Sequence, residues 1–350
     1  MAHNTTRSSG ANINKISTYL SLGQPIFLDG ALATYLETLG ADVSGALWSA
    51  DVLIRDAQLI KRAHLDYYRA GANVAITASY QASVPGIVKY MDTSEFQAKD
   101  LIKRSVKLAR DARDEYITEY MASLGEVELA TASRNGASLE WFEDDLRGKL
   151  FVAGSVGPYG AYLADGSEYR GDYSLSDAAM KDFHRGRIQA LVEAGADILA
   201  CETIPSKAEI VALLDLLSTE FPTTEAWFSF TLRDSQHISD GTPLGDIAAL
   251  FENNGQVIAV GLNCVPDDLG LAALNELRLQ LKSRTMVFYP NSGEQWNAQA
   301  REWEGERSEG STLAEKTTEW WHAGAIMVGG CCRTTPDDIR TMKKALRPFY

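Results

Sequence analysis

The chain has 350 residues, of which 45% are hydrophobic and 23% charged, and its formal net charge is −14 at pH 7. The composition is ordinary for an enzyme with one large or two small domains. The negative charge argues against a nucleic-acid partner, whose phosphates need a basic surface, and the absence of an 18-residue apolar run argues against a membrane span. Four cysteines without a signal-peptide pattern favour a reducing, cytoplasmic compartment.

Eight short apolar segments recur along the chain, and most of them are continuous rather than alternating in hydrophobicity. This pattern is typical of parallel strands that are covered on both faces. The predicted strands are residues 26–29, 73–79, 151–156, 197–202, 226–232, 257–263, 286–290 and 325–329.

A stretch with helical periodicity follows each predicted strand. Ser94, Ser176, Ser206 and Ser311 are predicted to cap the N-termini of four of these helices. The predicted helices are residues 55–70, 94–121, 176–194, 206–220, 243–253, 268–282, 311–323 and 336–346.

Eight β/α units in a chain of this length predict an α/β fold with a single closed (β/α)8 TIM barrel. The tripeptide Ala-Gly-Ala at 70–72, 194–196 and 323–325 supports this prediction, because its glycine can end a helix just before a strand. A doubly wound open sheet is the alternative. However, no phosphate-binding Gly-x-Gly-x-x-Gly pattern follows the first strand.

Three segments depart from the regular alternation. Residues 1–12 are polar and are predicted to form a disordered tail, which leaves residues 13–350 as the barrel domain. Residues 32–49 lengthen the first connection and could lie over the barrel mouth. Residues 122–150 are polar and rich in Gly, Ser and Glu, which predicts a surface insertion before the third strand.

Three cysteines follow predicted strands. Cys264 comes directly after the sixth strand, and the adjacent Cys331 and Cys332 come just after the eighth, behind two glycines. The C-terminal strand ends of a barrel meet at the mouth, where active sites lie. Three thiolates at that mouth can bind one zinc ion (Zn²⁺) and leave its fourth position for a substrate.

Other interpretations of the cysteines remain open. Cys264, Cys331 and Cys332 could have no shared role, or the two neighbours could form a disulfide or a redox pair. Cys201 lies within the fourth predicted strand. We interpret it as a small buried hydrophobic residue rather than a metal ligand.

Several sequence blocks resemble the homocysteine S-methyltransferase family of zinc-dependent thiol methyltransferase barrels. The resemblance extends from about Ile26 to the C-terminus and implies methyl transfer to homocysteine, with zinc on Cys264, Cys331 and Cys332. Block 154–161 further suggests the branch that uses S-methylmethionine or S-adenosylmethionine as donor. The matching blocks are FLDGALAT (27–34), ALWSA (46–50), AITASYQAS (75–83), GSVGPYGA (154–161), CETIP (201–205), GLNC (261–264) and GGCCR (329–333).

The resemblance also implies roles for polar residues at the strand ends. Asp29 and Glu202 would hold the ammonium group of homocysteine, whereas helix capping or pairing with Lys or Arg is the alternative. Gly30 and Ala31 could offer backbone N–H groups to the substrate carboxylate. The remaining predicted neighbours of the substrate are Thr77, Ser79 and Asn263.

A sulfonium donor is a cation, which an aromatic ring attracts by about 0.5–2 kcal/mol. Trp48, Tyr80 and Tyr159 lie in predicted mouth loops and are candidates for this contact, although aromatic residues more often serve packing. A betaine-dependent or selenocysteine methyltransferase of the same family, or a barrel that only stores or senses zinc or thiols, are the alternatives. Each of these proposed functions predicts small-molecule partners, and none of them predicts the oligomeric state.

Overall fold

The computed structural model describes residues 15–43, 49–125, 138–281, 284–297 and 302–350. Within this part of the chain, eight parallel strands form one sheet in which each strand lies beside its neighbours in sequence. The strands are β1 (Ile26–Phe27), β2 (Val74–Ile76), β3 (Phe151–Val156), β4 (Ile198–Ile204), β5 (Ala226–Phe230), β6 (Val257–Asn263), β7 (Thr285–Tyr289) and β8 (Ala325–Val328).

The first two strands close the sheet into a barrel. Leu28 pairs with Val74 in a parallel bridge just beyond the end of β1. The N–H of Asn73 donates to the carbonyl of Phe27 at 2.6 Å, and the N–H of Asp29 donates to that of Val74 at 3.0 Å. The predicted (β/α)8 barrel is confirmed, and the open-sheet alternative is wrong.

One principal helix follows each strand or its connecting loop, as predicted. These helices are Ala57–Ala70, Glu95–Ser123, Asp177–Glu193, Lys207–Glu220, Leu244–Ala249, Asp267–Leu281, Gly310–His322 and Pro336–Leu346. Additional helical segments are Ile16–Leu20, Leu32–Thr38, Ser49–Arg55, Val84–Met91, Leu139–Arg147, Tyr159–Leu163, Ser167–Tyr169 and Arg347–Phe349. Among the described helices, none has both the length and the apolar character that crossing a bilayer would need.

The predicted N-caps have different outcomes. Ser94 forms a capping box with Gln97, and the Ser176 side chain accepts a hydrogen bond from the third residue after it. Ser206 occupies the N-cap position without a side-chain capping bond. The prediction for Ser311 is wrong, because its helix begins one residue earlier, at Gly310.

Strand alternation divides the buried residues into an inner and an outer set. Ile198 and Ala200 of β4 belong to the cluster that fills the barrel, whereas Leu199 and Cys201 pack in the cluster between sheet and helices. Successive side chains point to opposite faces of a strand. The same alternation directs Glu202, the next residue with inward parity, into the barrel mouth.

The irregular segments are only partly described. The predicted tail 1–12 lies outside the described residues, as do positions 44–48 of the long first connection. The predicted insertion 122–150 contains the helix Leu139–Arg147, while its positions 126–137 lie outside the described residues. Two antiparallel hairpins that we did not predict follow β5 and β7: Leu232–Asp234 with His237–Ile238, and Gln295–Asn297 with Glu302–Glu304.

Candidate metal and substrate site

The three cysteines of interest lie in loops at the C-terminal ends of β6 and β8. Cys264 directly follows β6, and a pair of glycines leads from β8 to Cys331 and Cys332. A Cβ atom on Gly329 would lie 2.6 Å from the Cβ atom of Leu28. Only glycine therefore lets this turn pass so close to the first strand.

The end of β7 and the loop after it hold the backbone of all three cysteines. Each cysteine N–H donates to a residue in positions 289–291, so one short segment sets the relative positions of the thiols. The bonds run from Cys264 to the Tyr289 carbonyl (3.2 Å), from Cys331 to the Pro290 carbonyl (2.7 Å) and from Cys332 to the Asn291 Oδ1 (3.2 Å).

The sulfur atoms of Cys264, Cys331 and Cys332 all lie within 4.8 Å of one another. Cys264 and Cys331 form a disulfide in this structure, and Cys332 Sγ lies 3.9 Å from Cys264 Sγ. The alternative of a bond between the neighbours Cys331 and Cys332 is therefore wrong. Tetrahedral Zn–S bonds of about 2.3 Å place two sulfurs about 3.8 Å apart. The cluster fits a metal ion of that geometry once the disulfide is reduced.

The two free thiols have different surroundings. Cys201 is buried between the sheet and the helices, away from the cluster, and burial raises the pKa of its thiol. This placement confirms its interpretation as a hydrophobic residue. Burial also raises the pKa of Cys332, to about 11. A bound cation would act in the opposite direction, because it favours the thiolate.

Asp29 is a buried carboxylate with one unused oxygen. Its Oδ2 accepts a hydrogen bond from the N–H of Ile76 at 2.8 Å, whereas Oδ1 has no partner among the described residues. Burial raises the pKa of Asp29 well above its usual range. His64 Nδ1 lies 4.0 Å away, but burial lowers the pKa of His64 to about 4, so this ring is neutral at pH 7. Asp29 therefore faces the mouth without a fixed counter-ion.

Glu202 lies across the mouth and is held by two hydroxyl groups. The hydroxyl of Ser155 donates to Oε1, and that of Tyr289 donates to Oε2 at 3.0 Å. Burial raises the pKa of Glu202 to about 7, while these two hydrogen bonds and the charge of Arg187 oppose the rise. The charge of Glu202 in turn raises the pKa of Asp29. The two acids thus form a pair of sites that can accept a cation, because a nearby positive charge favours their ionised forms.

The predicted neighbours Thr77, Ser79 and Asn263 bond mainly to the protein itself. The hydroxyls of Thr77 and Ser79 are 2.7 Å apart, and the hydroxyl of Ser79 donates to the Ser155 carbonyl at 2.8 Å. The Asn263 side chain makes two bonds of 2.8 Å to Thr203, accepting from its N–H and donating to its hydroxyl. Their contacts with a substrate stay predictions.

Gly30 and Ala31 lie beside the loop that carries the paired cysteines. The N–H of Ala31 donates to Thr334 Oγ1 at 3.1 Å. A Cβ atom on Gly30 would lie 2.7 Å from the same oxygen. A substrate carboxylate would have to displace Thr334 in order to use the Ala31 N–H, so the predicted contact also stays a prediction.

Comparison with known proteins gives this geometry a family. A family model described as homocysteine S-methyltransferase matches residues 26–346. The chain belongs to the homocysteine S-methyltransferase family. The match covers every barrel strand and all three clustered cysteines.

Members of this family resemble the chain over nearly its whole length. The homocysteine S-methyltransferase of Escherichia coli is 48% identical, covering 94% of this chain and 98% of the relative. The selenocysteine methyltransferase of Astragalus bisulcatus is 41% identical, covering 93% of each. The crystal structure of the E. coli homocysteine methyltransferase MmuM in its metallated form is 47% identical over 93% of this chain and 98% of its own, with a TM-score of 0.78.

The predicted aromatic contacts of this methyltransferase have unequal support. Trp48 lies outside the described residues. The ring of Tyr159 packs against Tyr162, Tyr173 and Phe183, with centroid separations of 5.5, 5.5 and 5.0 Å, which favours a packing role. Burial raises the pKa of the Tyr80 hydroxyl, and the side chain of Thr203 at the mouth opposes this rise.

Two donors hold Glu202 that were not predicted from the sequence, Ser155 and Tyr289. The alternation of side chains along a strand could have identified both residues. Ser155 points into the barrel like Ala153, two positions earlier, and Tyr289 points into it like Val287. A polar residue at the last inward position of a barrel strand is the signal that could have identified them in this family member.

Proposed function

We propose that the protein transfers a methyl group from S-methylmethionine or S-adenosylmethionine to homocysteine and uses zinc held by Cys264, Cys331 and Cys332. The observation that carries this proposal is the meeting of three sulfurs and two buried carboxylates at one barrel mouth. Since the ligands must be thiolates, the active protein needs the reduced form of the cluster. A reducing, cytoplasmic compartment would keep it so.

The protein groups around the ion divide the remaining work. A zinc ion bound by three thiolates would lower the pKa of the homocysteine thiol and position its sulfur. Asp29 and Glu202 accept the substrate ammonium, which offsets the cost of burying their charges. An ammonium between them lowers the pKa of both acids, because a nearby cation favours their ionised forms.

The reaction needs no acid catalyst from the chain. The homocysteine sulfur donates an electron pair to the methyl carbon, the bond from that carbon to the donor sulfur breaks, and the donor leaves as a neutral thioether. One anion and one cation become two neutral groups at the reacting atoms. A buried mouth with little water favours such a loss of charge. This account is consistent with the neutral His64 beside Asp29.

The decisive experiment measures methionine formation and zinc content together. With reductant and zinc present, we expect wild-type protein to form methionine from homocysteine and a sulfonium donor, and a chelator to stop it. Cys331→Ala should lose both zinc and activity, whereas Cys201→Ala, the matched thiol control, should keep both. Full activity in Cys331→Ala would refute the metal role. Zinc retention without turnover in wild type would indicate the storage or sensor alternative.

A donor and acceptor panel separates the remaining alternatives. The donors are S-methylmethionine, S-adenosylmethionine and betaine, and each is tested with homocysteine and with selenocysteine. The similarity to the Astragalus selenocysteine methyltransferase makes the selenol the second candidate acceptor. We expect the highest kcat/KM with homocysteine and S-methylmethionine. A preference for selenocysteine would reassign the acceptor, and a preference for betaine would reassign the donor.

A further inference from the structure

A short 3₁₀ turn, Ser167–Tyr169, follows the β3 loop, and we call it the mouth turn. It is attached to the end of β5, because the Thr231 hydroxyl donates to the Glu168 carbonyl at 3.0 Å. The Ser239 hydroxyl in turn donates to Thr231 Oγ1 at 2.8 Å. These bonds hold the backbone of the mouth turn beside the end of β5.

Two glycines of the 154–161 block allow this arrangement. A Cβ atom on Gly160 would lie 2.5 Å from the backbone nitrogen of Glu168, and one on Gly157 would lie 2.5 Å from the carbonyl oxygen of Tyr80. The block therefore brings the backbones of the mouth turn and of the loop after β2 into close contact with the segment that follows β3. Larger residues would push Glu168 and Tyr80 away.

The Glu168 carboxylate has an unused buried oxygen. Its Oε2 is buried and has no hydrogen-bond partner within the described part of the chain. Burial raises the pKa of this carboxyl group. The nearest cation in sequence, Arg170, donates its hydrogen bonds elsewhere, to Asp172 Oδ2 at 2.8 Å and to the Asp165 carbonyl at 3.0 Å. Its charge lowers the pKa of Glu168 and so opposes part of the rise that burial causes. A buried carboxylate oxygen without a hydrogen-bond partner is energetically costly, and a positively charged ligand would remove that cost.

The surroundings of Glu168 are aromatic. Tyr169 is the next residue in the chain, and the ring of Tyr80 lies against the same sequence block, 2.7 Å from the position that a Cβ atom on Gly157 would take. Burial raises the pKa of both tyrosine hydroxyl groups, and the charge of Glu168 raises it further. Tyr169 leaves 48% of its surface exposed, so its ring stands at the opening. A carboxylate with two tyrosine rings is a suitable environment for a soft organic cation.

We propose that Glu168, Tyr169 and Tyr80 form the binding site for the sulfonium group of the methyl donor, on the side of the mouth next to the end of β5. This proposal rests on the proposed methyl transfer and adds the residues that recognise its cationic substrate. The donor is attracted as a cation and leaves as a neutral thioether. The attraction to Glu168 therefore ends when the methyl group has moved, which favours product release.

Glu168→Gln tests the site, because it keeps the shape of the side chain and removes its charge. We expect the KM for S-methylmethionine to rise about tenfold or more, as for loss of a contact to a charged group. The KM for homocysteine and the zinc content should not change, since Asp29, Glu202 and the cysteines are intact. Titration of S-methylmethionine into the protein by calorimetry should show the same loss of affinity without depending on turnover.

Three further variants complete the test. Tyr169→Leu should raise the donor KM, whereas Tyr169→Phe, which keeps the ring, should change it little. Asp172→Asn is the matched control, because it removes an exposed carboxylate paired with Arg170 from the same segment. Its donor KM should equal that of wild type.

The outcomes separate this proposal from the proposed function. Wild-type turnover with an unchanged donor KM in both Glu168→Gln and Tyr169→Leu would overturn the donor site while leaving the methyltransferase intact. An equal rise in both substrate KM values would also overturn it, since the damage would then be general. Absence of turnover in wild type would contradict the proposed function, and calorimetry would still show whether Glu168 binds the cation.

Discussion

At the scale of single residues, the hydrogen-bond directions around Glu202 are determined by chemistry. The indole nitrogen of Trp227 can only donate, and it lies 3.0 Å from the hydroxyl oxygen of Tyr289. Because that hydroxyl gives its one proton to Glu202, Ser229, at 2.7 Å, must donate to Tyr289 as well. Glu202 therefore receives hydrogen bonds from Tyr289 and Ser155 and is held as an acceptor, which suits an ammonium ligand.

Tyr289→Phe removes one of the two donors to Glu202. Its loss should raise the pKa of Glu202 above the present value of about 7. A larger fraction of Glu202 is then neutral at pH 7, and the KM for homocysteine should rise about tenfold, with recovery at higher pH. The measurement is the pH dependence of this KM. The variant leaves unchanged the other groups that interact electrostatically with Glu202, which are Asp29, Arg187, Tyr80 and Cys201.

The control for Tyr289→Phe is Tyr173→Phe. Tyr173 also donates to a buried glutamate, Glu209, but that pair lies outside the candidate site. Tyr173→Phe should have the same KM for homocysteine as wild type at every pH. Identical pH profiles for Tyr289→Phe and wild type would refute the positioning role of Tyr289.

Asp29→Asn separates substrate binding from stability. A buried acid with a raised pKa favours folding only at pH values low enough for it to be protonated, and this contribution is lost as the pH rises through the folded pKa. At pH 7 the unfolding free energy of the variant should therefore equal or exceed that of wild type, within about 1 kcal/mol. The KM for homocysteine should rise at the same time. Denaturant unfolding and kinetics check both, and a large loss of stability with normal KM would contradict the assignment.

At the scale of elements, the C-terminal end of β4 contains a strained residue next to Glu202. Thr203 adopts a left-handed conformation with φ of 61°, which is costly for a β-branched residue. The side chain of Asn263, at the end of β6, bonds to both its N–H and its hydroxyl. We infer that Asn263 stabilises this conformation of Thr203 next to Glu202.

Asn263→Ala should lower the unfolding free energy by about 1–3 kcal/mol, because two buried groups of Thr203 lose their partner. In that background, Thr203→Gly should restore part of the stability, since glycine accepts a positive φ without strain. A double-mutant cycle measured by denaturant unfolding checks the coupling. If Asn263→Ala instead kept wild-type stability and bound homocysteine poorly, the amide would be a substrate contact, as the sequence analysis predicted.

At the scale of the whole molecule, the cysteine cluster joins distant parts of the chain. Cys264 and Cys331 are separated by 67 positions, and a metal ion that binds only the folded state stabilises all the structure between them. With reductant present, zinc should raise the Tm, and at 1,000 times its Kd the gain is about 4 kcal/mol. Calorimetry with and without a chelator measures this. Cys331→Ala should lose the shift and Cys201→Ala should keep it; an equal shift in both would contradict a three-cysteine site.

The sequence by itself determined the barrel and the placement of its chemistry. Eight apolar segments with intervening helical periods specify the β/α order, and strand alternation specifies which residues enter the mouth. Cys264, Cys331, Asp29 and Glu202 were therefore predictable, because each depends only on its distance from a strand end. The same local pattern identified Cys201 as a core residue.

Only the tertiary structure decided which side chains meet. The bonds from Ser155 and Tyr289 to Glu202 join residues that are 47 and 87 positions apart in the chain. They form only when the eight strands have the register of the closed barrel, which the Leu28–Val74 bridge completes. The burial of the unused oxygen of Glu168 likewise depends on the packing of the mouth turn against the segments that follow β3 and β5. Such contacts depend on the angle and shear of a closed cylinder, which arise from all eight strands together and from no local segment of the chain.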